Sequence, residues 1–101
     1  MKRRHVRFTE TARAQVRAVQ RWWSENTGRP EIVAEEIDEA IALLSVLAGV
    51  GAPYPRPRLP ELRRLYLRSL TSHLYYTVRE DEVIVRAGWH AKRKGAPPIK
   101  P

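Results

Sequence analysis

The hydrophobic period of this 101-residue chain changes once, and that change limits what it can fold into. In "ARAQVRAVQRWWSEN" the residues Ala12, Val16, Val19 and Trp23 recur at helical spacing, while Arg13, Arg17 and Arg21 repeat on another face. Thr9 or Thr11 supplies a hydroxyl to accept from the unpaired N–H groups at the helix start. Gly28 suits a left-handed C-terminal cap and Pro30 the first turn of the next helix. A second helix, roughly Pro30 to Ala48, carries Val33, Ile37, Ala40, Leu44 and Leu47 on one stripe. Its first half crowds Glu31, Glu35, Glu36, Asp38 and Glu39 near the positive end of the helix dipole. Two such helices on a short turn make a hairpin whose opposed charges are placed to pair.

From Leu62 onward the period is two. "LRRLYLRS", "SHLYYTVR" and "EVIVRAGWH" read as three strands, and the short "LTS" and "EDE" links make their pairing antiparallel. The N-terminal "RRHVRF" adds a short strand, and "GVGAPYPRPRLPE", with four prolines in eight residues, is a stiff connection. The chain is therefore expected to be one domain over residues 1–101, an α+β sandwich with the helical hairpin on one face of a small sheet.

A half-covered sheet sends alternate side chains toward the helices and away from them. Simple alternation puts Leu65, Leu67, Leu74, Tyr76, Val78, Val83, Val85, Ala87 and Trp89 inside. It leaves Arg64, Arg68, Arg79, Arg86, His73, His90, Tyr66 and Tyr75 on the uncovered face, with no carboxylate among them. Guanidiniums suit phosphate because the planar fork donates two parallel hydrogen bonds and stays charged. Tyrosines between them offer stacking surface for unpaired bases. The same set can be read as catalytic: His90 or Tyr75 to transfer protons, Arg64 or Arg86 to stabilise a charged phosphorane. The competing reading is a face made soluble by charge.

The formal charge of +8 is patterned. Residues 1–30 hold eight Lys/Arg against two acids, residues 31–60 two against five, and residues 61–101 nine against four. A basic face points to a polyanionic partner. Three histidines without ligand spacing and no cysteine argue against a metal site, and no cofactor motif is present. "AIALLSVLAGV" is too short to span a bilayer, and "MKRRHVRF" lacks a signal peptide's apolar stretch, so a soluble cytoplasmic protein without membrane contact is expected. Of the "RWW" pair, Trp23 belongs in the core and Trp22 is the more exposed.

Over nearly its whole length the chain resembles the RelE/ParE superfamily of bacterial type II toxin–antitoxin toxins. The likeness runs through "VRFTETARAQV", "RWWSENTGRPEIVAEEIDEAIALL" and "LRRLYLRSLTSHLYYTVREDEVIVRAGWHAKRKGAPP". The last segment is similar to the family's C-terminal signature: an Arg-bearing strand, a hydrophobic-Tyr-Tyr strand and a strand ending in His-x-x-Arg. The resemblance implies a growth inhibitor neutralised by a cognate antitoxin, in a toxin–antitoxin hetero-oligomer. Its target is DNA gyrase on the ParE side, or ribosome-bound mRNA cut by a metal-independent endoribonuclease on the RelE side. By position Arg64 matches the recurring strand arginine, Arg86 the next basic residue, and His90 and Arg93 the C-terminal motif. The long hairpin helices and "HAKRKGAPP" lean toward ParE. A basic nucleic-acid-binding module without toxicity is the reading outside the family.

Overall fold

The computed structural model describes residues 3–99. In chain order it contains β1 (His5–Phe8), α1 (Glu10–Thr27), α2 (Glu31–Val46), β2 (Ala52–Pro53), β3 (Arg63–Leu67), β4 (Ser72–Val78) and β5 (Glu82–His90). The helical hairpin packs on one face of a five-stranded sheet of order β1-β5-β4-β3-β2. This is the expected α+β sandwich. The N-terminal strand was expected, but its pairing was not, nor was a strand in the proline-rich connection. β1 joins β5 in parallel, with Val6 opposite Val83 and Phe8 opposite Val85. The proline-rich connection contributes β2, where Ala52 lies opposite Arg64. An edge is where a strand tolerates Pro53, because the outward side needs no donor.

Local chemistry sets the joints. Thr9 caps α1: its Oγ1 accepts from the Ala12 N–H at 3.2 Å. The same hydroxyl donates to the Arg86 carbonyl at 3.3 Å, tying the helix start to β5. Gly28 ends α1 with φ 69, a left-handed value that glycine adopts without a Cβ penalty. Pro30 flanks α2 as its N-cap. Leu47 falls just past the end of α2, half exposed, so the apolar stripe stops at Leu44. Among the described residues, the Arg13, Arg17 and Arg21 row forms no ion pair with the carboxylates of α2; the expected pairing across the hairpin does not occur.

Between helices and sheet, Ala12, Val33, Ala40 and Leu44 pack against Leu67, Leu74, Tyr76, Val83 and Val85. Each large aliphatic side chain buried here contributes about 1.5–3 kcal/mol. Tyr76, fully buried, brings a hydroxyl that is satisfied on both sides. It donates to the Ala48 carbonyl at 2.8 Å and accepts from the Gly51 N–H at 2.8 Å. A Cβ on Gly51 would lie 2.5 Å from that hydroxyl and 2.7 Å from the Arg64 carbonyl, so this turn accepts only glycine.

The feature that most alters the functional picture is a bulge in β5. Tyr76 lies opposite Val85 but Tyr75 lies opposite Ala87, leaving Arg86 as an extra residue. Past Arg86 the faces exchange. Ala87 and Trp89 pack with Tyr75, Leu59 and Leu62 in a second apolar cluster on the side away from the helices. Trp89 is therefore not part of the helix-side core, contrary to simple alternation, and His90 leaves the far face.

Candidate functional site

The far face of the sheet divides into two ends with different electrostatics. At one end the cations are tied down. Arg79 pairs with Glu61 at 3.1 Å, Arg7 pairs with Glu82 at 3.1 Å, and the Arg86 Nε donates to Thr77 Oγ1 at 2.9 Å. Two carboxylates thus serve a face expected to have none. Glu82 was missed although alternation from Ile84 places it there; Glu61 comes from the preceding loop, which alternation does not reach. Burial, then the charges of Arg79 and Arg7, pull the Arg86 pKa below its usual value.

The other end is built of rings and guanidiniums. Arg64 lies opposite Tyr75 in the register, and Tyr66 opposite His73. The next pairs across are Tyr75 with Ala87 and His73 with Trp89. The sheet thereby aligns Tyr66, His73 and Trp89 in one row across three strands. Tyr66 and His73 are 5.2 Å apart between ring centres, and His73 and Tyr75 6.0 Å. Tyr54, from the proline-rich segment, closes over Tyr75 at 5.2 Å in an edge contact.

Three guanidiniums sit against these rings. Arg64 is 4.8 Å from the Tyr54 ring centre, Arg56 5.9 Å from the same ring, and Arg93 3.9 Å from that of Trp89. None has a carboxylate partner among the described residues. Arg64, flagged by the sequence, is therefore central. Arg56, Tyr54 and Trp89 were not assigned to this face; they reach it through the loop and the bulge, and periodicity carries no signal for either. The Trp89 indole nitrogen is buried with no hydrogen-bond partner. Burial, and after it the charge of Arg64, hold the His73 pKa below the ordinary imidazole value.

The four residues proposed for catalysis do not all come together: Arg64 and Tyr75 are cross-strand neighbours, but His90 does not join them. Tyr75 is 3% exposed beneath Tyr54, and Arg86 is held by Thr77. His90 lines a groove on the helix side with Val19, Trp22, Trp23 and the Ser69–Ser72 turn. Its Nδ1 accepts from the Lys92 N–H at 3.2 Å. Arg68 is exposed in the turn after β3. Among the described residues no three His, Asp or Glu side chains converge to hold a metal, and no helix is long and apolar enough to cross a membrane.

Fold and face together define a small two-layer α+β protein with a basic, aromatic sheet surface. No protein-family model matches the chain, and no curated protein matches it. Among solved structures it is similar to a chain of the chromosomal ParDE TA system from P. aeruginosa, with a TM-score of 0.70 and 22% identity. The match covers 88% of this chain and 97% of that one, so the two share a fold over most of this chain.

Proposed function

We propose that the protein is the toxin of a bacterial type II toxin–antitoxin module, acting in the cytoplasm on DNA gyrase and held inactive by a cognate antitoxin. Support for the class comes from the fold, whose solved counterpart belongs to a ParDE TA system and is covered almost end to end. Support for gyrase over mRNA comes from the placement of His90. Cutting RNA through its 2′-OH needs a base within reach of the cations that stabilise the phosphorane. Here His90 is on the helix side, while Arg64 is on the far face. Inhibition by docking on a protein target requires a shaped surface and no such set.

The test is induced expression with and without the product of the adjacent reading frame. A growth defect relieved by that product is expected; no defect removes the toxin reading. In parallel, purified protein should inhibit gyrase supercoiling while mRNA from induced cells stays intact. Codon-positioned mRNA cuts that disappear in His90→Ala would replace gyrase with the ribosome-dependent nuclease.

A further inference from the structure

We infer that the far face is a binding platform for single-stranded nucleic acid, which it holds by base stacking and does not cut. The inference does not depend on the toxin reading. It rests on where rings and unpaired cations coincide. The row Tyr66, His73 and Trp89 crosses three adjacent strands, which lie about 4.8 Å apart in a sheet. Tyr66 is 50% exposed, so a large ring face meets solvent at the start of the row. At its other end the Arg93 guanidinium lies over the Trp89 ring, 3.9 Å from its centre, so the cation covers the indole there. Bases stack on either kind of surface.

Charge follows the same division. Where the face lacks exposed rings, its arginines are matched by Glu61 and Glu82. Where the rings are, Arg56, Arg64 and Arg93 have only ring partners among the described residues. A guanidinium resting on a ring keeps its edge N–H groups free, and those are the groups that grip phosphate. A face serving solubility alone has no reason to separate paired from unpaired cations in this way. His73, kept neutral by burial and by Arg64, adds a ring to the row without adding repulsion. Duplex nucleic acid presents no free base faces, so the platform selects unpaired strands.

The experiment is fluorescence anisotropy with labelled oligo-dT and oligo-rU of about fifteen nucleotides, and a duplex of equal length. One of the single strands is expected to bind at least about tenfold more tightly than the duplex, and the tighter one identifies the strand as DNA or RNA. Tyr66→Ala should weaken that binding by about 5- to 100-fold, and Tyr66→Phe should restore it. Arg64→Ala should lower the salt dependence, whose logarithmic slope is about −2 for three phosphate contacts. Arg13→Ala, which removes an equal charge from α1, should leave affinity within about twofold. The oligo-rU is expected back intact. Equal affinity for the duplex, or a Tyr66→Ala protein that binds like the parent, would overturn the platform; a cut strand would overturn binding without scission.

Discussion

His73 is the residue whose surroundings say most about how the face behaves in solution. Its ring lies between Tyr66 and Tyr75, and burial followed by the Arg64 charge lowers its pKa from 6.5. The unfolded chain, with an ordinary imidazole, therefore takes up the proton first as pH falls. Stability is then highest above the ordinary value and declines as pH drops from there to the lowered folded value. Melting the parent and His73→Gln from above pH 7 to about pH 5 should show a larger loss of Tm in the parent. Equal losses would mean that His73 carries none of the acid sensitivity. Thr77, fully buried one pair along, shows the complementary case: its hydroxyl accepts from Arg86, so a polar group sits in the sheet at no unpaired cost.

At the scale of elements, the bulge decides which chemistry is on which face. Were Arg86 paired in the ladder like its neighbours, β5 would alternate evenly and send Trp89 toward α1 and His90 toward Arg64. Deleting Arg86 closes the ladder with Ala87 and Trp89 still on the far face, but it takes from the fully buried Thr77 the partner of its hydroxyl and should cost about 1–3 kcal/mol. Urea titration followed by tryptophan fluorescence checks this; a deletion with unchanged midpoint would show that the bulge is dispensable. The bulge also marks the boundary of what the sequence discloses. Two apolar stripes, the Thr9 and Gly28 caps and the three alternating strands were all legible, because each rests on spacing between near neighbours. Glu82 is legible too, since it stands two residues before Ile84 on the same alternation. The exchange of faces at Arg86 was not, since an inserted residue leaves an apolar–polar string that still looks regular. Nor was the arrival of Tyr54 over Tyr75, which depends on how a proline-rich segment turns back upon the sheet.

For the whole molecule, the consequence of that return is a second apolar cluster on the face expected to be bare. Leu59, Leu62, Tyr75 and Ala87 form it, with Tyr54, Trp89 and Ile99 against them, and Pro97, two residues before Ile99, is itself buried. The C-terminal segment thus belongs to the folded unit as a strap over the far face. Ending the chain at Gly95 removes Pro97 and Ile99 and should lower stability by about 1–2 kcal/mol. Hydrogen exchange should then quicken around Leu59 and Leu62 and stay slow in α2; uniform quickening would mean that the two clusters melt as one.

The parallel pairing of β1 with β5 has a consequence in the time domain. Arg7 reaches a partner, Glu82, that lies 75 residues further along the chain. The first strand therefore emerges from the ribosome long before the strand that will hold it exists. Closing so long a loop has to await the 75 residues that lead to Glu82, and long-range pairing of this kind slows folding. Synthesis and assembly are separated by an interval in which the basic–aromatic face has not yet formed. In a protein whose proposed action harms its own cell, that interval is when a partner already present has the first opportunity to meet it.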